Sequence, residues 1–348
     1  MLERYLEDLE TRIDPAVEEG LIDSWKIFCD HGTGSGIFTP RRPEKRPPRT
    51  VWPEICINDA LEDFEKMALE QFGMCSQLLA RGRGGLMNIR CNYGTGILAS
   101  LFGPDLYIMP RETNTLPTTR PLPNGIRDIR ACLDRGVPDI RSGLGARTFE
   151  TAERYRELMP RYPRISEYVH VIHPDLQGPM DICELLWGSS LFIDIMDHPD
   201  LVRSFLGVIT ETYIRFLDEW LECFPRKGAY SVHWNKLHKG TVMLRDDSAM
   251  NLSPDMFSEF VAPFDQRILE RFGGGAVHFC GRGDHYIDRM CAMDGVTAIA
   301  MSQPEYNDME KIYRHTVDKG IRLIGFGRDE AERARAAGRD LAGCVHCG

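Results

Sequence analysis

Residues 276–301 read Ala276-Val-His-Phe-Cys-Gly-Arg-Gly-Asp-His-Tyr-Ile-Asp-Arg-Met-Cys-Ala-Met-Asp-Gly-Val-Thr-Ala-Ile-Ala-Met301. A short apolar run over 276–280 is followed by a helical stretch over about 284–293 and a second apolar run over 296–301. Runs of this length, bounded by glycine, read as strands. The same unit extends upstream. Thr241 to Leu244 is a strand, and Ser253-Pro254-Asp255 starts a helix with a capping serine and a proline at the first helical position. That helix stops at Gly273-Gly274-Gly275. Downstream, a helix over about 305–319 ends at Lys319-Gly320 and a strand spans 321–326. A short helix over about 329–337 stops at Gly338, and a last strand leads to Cys347. Strand and helix alternating in this way imply parallel strands joined by helical crossovers. An open doubly wound sheet has the same rhythm, but no glycine fingerprint follows the first strand. The expected fold is α/β, a single (β/α)8 TIM barrel, for which 348 residues leave room for insertions.

The first half is less regular. Leu2, Leu6, Leu9 and Ile13 share one face of a helix over residues 1–20. Residues 31–53 read as a long loop, because the proline- and arginine-rich stretch 40–49 cannot be regular structure. This divides the chain into an N-terminal helix-and-loop extension, 1–50, and a barrel over 51–348. Asn58 reads as the N-cap of a helix carrying Leu61, Phe64, Met67, Ala68 and Phe72 and ending at Gly73. Leu86 to Cys91 is a short strand. Residues 104–147 lack a sustained period and read as an insertion above the barrel. A long helix runs from Pro199 to Phe224.

Composition narrows the function. Hydrophobic residues make up 43% of the chain and charged residues 27%, enough apolar content for a packed core. A net charge of −10 argues against a nucleic-acid footprint, which needs a basic stripe. Eleven irregularly spaced cysteines point to a reducing cytoplasm rather than a disulfide framework. Neither a signal peptide nor a membrane span is expected.

The chemistry concentrates in Val277-His278-Phe279-Cys280-Gly281. Residues two apart on a strand point to the same side, so His278 and Cys280 aim at one point. They sit at the C-terminal end of their strand, where barrel enzymes keep their active sites. At the end of the last strand lies Cys344-Val-His-Cys347. Together these residues suggest a Cys2His zinc with one open position, a catalytic rather than a structural pattern. A structural zinc on His278, Cys280, Cys344 and Cys347 is the alternative, as is plain core packing of these side chains.

The segment from Thr241-Val-Met-Leu-Arg-Asp-Asp247 through Ser253-Pro-Asp-Met-Phe257, Glu259-Phe-Val-Ala-Pro263 and His278-Phe-Cys-Gly281 resembles the uroporphyrinogen decarboxylase superfamily, specifically its zinc methyltransferase branch. Asn92-Tyr-Gly-Thr-Gly96, Leu101-Phe-Gly103 and Gln177-Gly-Pro-Met-Asp181 fit the same family. The resemblance spans roughly residues 50–348 and is strongest over the last hundred. It implies a metal-binding enzyme with Zn2+ on His278, Cys280 and Cys347, with Cys344 as the competing third ligand. It also implies methyl transfer between a thiol and a corrinoid (cobalamin-type) cofactor on a partner protein. The arginine-rich motif with which true uroporphyrinogen decarboxylases grip their substrate is not found, so a metal-free decarboxylase acting on a tetrapyrrole or other carboxylated substrate is the alternative. Asp246 and Asp247, at a strand end, are the candidate catalytic carboxylates. Glu305 is a candidate fourth ligand. Asn92, Tyr93, Gln177, His233 and Trp234 are candidate contacts to a small-molecule substrate.

Overall fold

The computed structural model describes residues 2–34 and 36–348. Two helices open the chain, α1 (Glu3–Arg12) and α2 (Pro15–His31). One helix was expected here. The break falls at Asp14-Pro15, where the Asp14 side chain accepts from the Ala16 N–H and Pro15 takes the first helical position, so a new helix starts. The stop expected at Gly73 is also displaced. After a short helix, Ile57–Glu62, Asp63 caps a second, Phe64–Arg81, which passes through Gly73 and ends at Gly82 with φ 64°. Gly73 lies inside that helix beside the Trp52 ring, where a Cβ would sit in ordinary contact at 3.4 Å.

The strands in chain order are β1 (Ile37–Phe38), β2 (Asn88–Ile89), β3 (Leu106–Tyr107), β4 (Thr118–Thr119), β5 (His170–Val171), β6 (Tyr230–His233), β7 (Lys236–Lys239), β8 (Val242–Arg245), β9 (Gly275–Phe279), β10 (Val296–Met301), β11 (Arg322–Phe326) and β12 (Val345–Cys347). Six form one sheet in the order β1-β12-β11-β10-β9-β8, with every pair parallel. A separate parallel pair joins β2 to β5. Between β8 and β12 the strands alternate with helices as the sequence predicts. β1 departs from expectation: it lies within the supposed loop and extension, and it pairs with β12. The boundary at residue 50 therefore falls after the first strand of the sheet. The 104–147 stretch is likewise structured, by the antiparallel β3–β4 pair and a helix, Ile126–Arg135. Among the described residues, no helix is long and apolar enough to cross a membrane.

Alternation along each strand separates two cores. Val242, Leu244, Val277, Phe279, Ile299, Leu323, Val345 and Cys347 face the helices and join the larger core, with Tyr213, Phe257 and Ile268. Phe38, Met243, Ala276, Ala298, Ala300 and Ile324 line the other, inner face. These inner residues are small in the middle of the sheet. The room they leave is filled by Val232 and Leu237 of the β6–β7 hairpin and by Leu21, Trp25, Phe28 and Cys29 of α2.

Glycine closes one of these contacts. A Cβ on Gly275 would lie 2.0 Å from the Val242 carbonyl oxygen of the neighbouring strand. Gly207, inside the helix Pro199–Cys223, has nothing within 4 Å of the equivalent position. Gly275→Ala is therefore expected to destabilise the fold by about 3 kcal/mol through forced strand separation. Gly207→Ala is expected to stabilise it by roughly 0.5–1 kcal/mol. Urea midpoints compare the two, and equal midpoints contradict the packing described.

Candidate metal centre at the strand ends

The alternation that sorts the cores also sorts the functional side chains. Met243, Arg245 and Asp247 follow one another on the inner side of β8 and its continuation, while Asp246 faces the helices. On β9, Ala276, His278 and Cys280 share that inner side. Asp247, His278 and Cys280 converge, with donor atoms all within 4.8 Å of one another. His278 Nε2 is 3.3 Å from Cys280 Sγ and 3.8 Å from Asp247 Oδ1. The Asp247 carboxylate also accepts the Cys280 backbone N–H at 2.7 Å and a guanidinium N–H of Arg245 at 3.0 Å.

The surrounding shell holds these groups in place. Asp181 accepts the backbone N–H groups of Asp247 and Ser248 at 3.1 and 2.7 Å, which fixes the turn leaving β8. Asn307 accepts the N–H groups of Gly283 and Asp284 and donates to the Gly281 carbonyl, which fixes the loop leaving β9. Asp175 accepts from Arg245 at 2.9 Å and from Arg90 at 3.1 Å, so two arginines and two aspartates form a charge-paired rim. The floor is Trp234. Its ring meets His278 edge-on at 5.2 Å between centroids, and Arg245 lies over it at 5.3 Å.

Trp234 gets there through a strained turn. Pairing of His233 with Lys236 leaves a two-residue loop, Trp234-Asn235, with φ of 46° and 66°. Two positive φ values are what a type I′ hairpin needs, yet tryptophan rarely adopts them. The surroundings hold the turn. Asn235 donates its N–H to Asn88 Oδ1 at 3.0 Å and accepts the Leu86 N–H at 2.9 Å, tying the hairpin tip to β2.

Electrostatics suit a metal. Burial, aided by Arg245, pushes the His278 imidazole down to about 4, so at neutral pH one of its ring nitrogens keeps a free lone pair. Burial opposes ionisation of Asp247, but Arg245 and His278 outweigh it and hold the carboxyl below its usual range. Burial raises the Cys280 thiol. The thiolate thus needs a cation beside it. In a tetrahedral zinc centre, Zn–N of about 2.05 Å and Zn–S of about 2.3 Å place N and S about 3.5 Å apart. The observed 3.3 Å is close to that.

Several expected site residues lie elsewhere. Cys347 faces the helix layer, in the core that holds Tyr313, because His346 takes the inner-facing position beside Trp25 and Phe38. Cys344 is at the start of β12, away from the strand's mouth end, and takes a guanidinium N–H of Arg322 at 3.1 Å. Glu305 is exposed and outside the group of converging donors. Tyr93 bonds Thr151 at 2.7 Å within the helical core. Asn92 is buried with its Oδ1 unpartnered, on the side of β2 that carries Arg90. Gln177 donates to Asp175 at 3.2 Å and so supports the rim. His233 is buried against His173, with its Nδ1 2.8 Å from His238 Nε2. Asp175, Arg245, Arg90 and Lys236 were not expected. Arg245 and Asp247 were legible as a pair from strand alternation, whereas Asp175 and Lys236 have no local signature.

No protein-family model matches the chain, and no curated protein matches it in sequence. Among solved structures it is similar to a methyltransferase from Methanosarcina mazei. Identity is 16% and the TM-score 0.60, over 98% of this chain and 93% of the other. At that identity the likeness is one of fold.

Asp246, a candidate catalytic carboxylate in the sequence, lies on the helix-facing side of its strand end, apart from the converging donors. It is fully buried against Asp265, and burial, reinforced by the Asp265 charge, pushes its carboxyl well up. Burial likewise lifts Asp265 to about 8. Such a pair retains a proton that the unfolded chain, titrating near 4, has released. The associated stability is complete below about pH 4 and is lost as pH rises towards about 8. Asp265→Asn removes one titrating group and leaves a neutral amide of the same shape beside Asp246. Urea unfolding from pH 5 to 8 is expected to show a flatter stability curve for the variant, with a gain of about 2 kcal/mol at pH 8. A variant curve that runs parallel to the parent's excludes the shared proton.

Proposed function

We propose that the chain is a zinc-dependent methyl or alkyl transferase of the uroporphyrinogen decarboxylase type, with its metal held by Asp247, His278 and Cys280. The observation that carries this reading is the convergence of those three donors at the ends of two adjacent parallel strands. Asp247 takes the place the sequence had offered to Cys347. The fold we propose is a closed eight-stranded barrel. The six-stranded sheet and the β2–β5 pair are its two arcs, and the β6–β7 hairpin and α2 fill its interior. The likeness to a methyltransferase structure supports that architecture.

Zinc bound at this position supplies a Lewis acid that holds a substrate thiol as thiolate near neutral pH. The chain's own groups do the rest. Arg245 orients the Asp247 carboxylate and keeps it ionised. Trp234 closes the floor and confines the substrate to the open side of His278 and Cys280. The Arg90–Asp175–Arg245 rim fixes the position of Arg245 against that floor. For the methyl donor we propose a methylated corrinoid on a partner protein, as the sequence resemblance implies. The metal-free decarboxylase alternative loses Asp246, which faces away from the mouth.

Elemental analysis of purified protein is expected to find about one zinc per chain. Asp247→Ala, His278→Ala and Cys280→Ala each lose it, whereas Cys347→Ala keeps it. The loaded protein is expected to demethylate free methylcobalamin in the presence of a small thiol, followed by visible absorbance. Zinc that survives loss of His278 or Cys280, or a zinc-loaded protein without thiol-dependent turnover, overturns the reading.

A further inference from the structure

β9 and β10 run parallel with Ala300 opposite His278 and Met301 opposite Phe279. The ladder continues one step past both strands, since the Ser302 N–H donates to the Phe279 carbonyl at 3.3 Å. Ser302 therefore falls beside Cys280. Alternation puts it on the inner side as well, because Ala298 and Ala300 already line that face. Its Oγ lies 3.6 Å from Cys280 Sγ. Ser302 is exposed at the open side of the mouth and Cys280 is half-buried, so the hydroxyl turns freely and its removal leaves the core untouched.

Four backbone N–H groups around Cys280 are committed elsewhere. The Cys280 N–H goes to Asp247 Oδ1 at 2.7 Å, the Gly281 N–H to Gln303 Oε1, and the Gly283 and Asp284 N–H groups to Asn307 Oδ1 at 2.8 and 3.0 Å. Gln303 and Asn307 thereby also hold Cys280 in place beside Ser302. As a thiol, Cys280 supplies the proton of the contact with Ser302. As a metal ligand it is a thiolate without a proton, and the contact then persists only with the serine hydroxyl donating.

The consequence is chemical. With a substrate thiol bound at the same centre, two sulfurs are available to a methyl donor, the substrate's and that of Cys280. A hydrogen bond to a thiolate lowers its basicity, and nucleophilicity falls with basicity. We propose that Ser302 is a positioning residue whose hydroxyl donates to the Cys280 thiolate and so directs the methyl group to the substrate's sulfur and away from the protein's own. The inference rests on reading Asp247, His278 and Cys280 as the metal centre. The reaction suppressed is methylation of Cys280. In it a sulfur lone pair forms the new S–C bond while the bond from the methyl carbon to its leaving group breaks, and that bond's electron pair departs with the leaving group. No proton moves, because the thiolate carries none.

The test compares the zinc-loaded parent with Ser302→Ala and Ser302→Thr. Each is treated with methyl iodide in the absence of thiol, and peptide mass spectrometry follows methylation at Cys280. Ser302→Ala is expected to be methylated there about fivefold faster than the parent, the scale of one hydrogen bond. Ser302→Thr, which keeps the hydroxyl, is expected to react at the parent's rate. Methylation of the half-buried Cys56 and Cys223 is expected to be equal in all three and serves as the internal standard. In cobalt-substituted protein, the thiolate-to-cobalt charge-transfer band is expected to move to lower energy in Ser302→Ala and to return in Ser302→Thr. Equal Cys280 methylation in parent and Ser302→Ala, or a faster rate that Ser302→Thr does not reverse, overturns the shielding by Ser302 and leaves the metal centre standing. A parent protein without the charge-transfer band refutes Cys280 as a ligand, and the inference falls with it.

Discussion

The space left on the inner face of the sheet by Ala276, Ala298, Ala300 and Gly325 is the constraint on which the rest depends. A parallel sheet of this kind usually fills its inner face with branched side chains from the strands themselves. Here small residues leave a gap, and interiors do not tolerate gaps. The gap is taken by Val232 and Leu237 of a hairpin and by an aromatic group from α2. The same hairpin carries Trp234 and Lys236. Core packing and site construction are therefore one event, since the plug that completes the inner core also delivers the Trp234 floor.

The two neighbouring aspartates show how finely strand geometry divides labour. Asp247 projects inward, is held ionised by Arg245 and meets His278 and Cys280. Asp246, one residue earlier, projects outward, is fully buried and shares its environment with Asp265. One carboxyl is kept charged where a cation can use it. The other is kept protonated where no cation is at hand. Their chemistry in sequence is identical, and the difference is made by which side of the pleat each occupies.

Rigidity around the centre comes from backbone hydrogen bonds more than from the donors themselves. Asp181 and Asn307 each clamp a loop that follows a strand, and the hairpin tip is tied to β2 through Asn88. A metal site needs its ligands placed to within a fraction of an ångström, and this outer set supplies that placement. The strained backbone at Trp234 belongs to the same scheme: an unfavourable conformation persists because Leu86, Asn88 and the packed hairpin over-determine it.

Local sequence determined the alternating parallel architecture from residue 241 onward, the helix starts at Ser253-Pro254 and Pro199, and the convergence of His278 with Cys280. Those features rest on short-range rules, namely period-two alternation, capping and strand length, which the chain carries within a few residues. The tertiary structure alone brought Asp247, and not Cys347, beside His278 and Cys280, because both are near strand ends and only the phase of each pleat selects between them. It alone placed β1 within the expected loop over 31–53, since the pairing partner is β12, some three hundred residues away. The hairpin was hidden for a related reason: Trp234-Asn235 lacks the Asn-Gly signature of its turn type, and the conformation is imposed by long-range contacts.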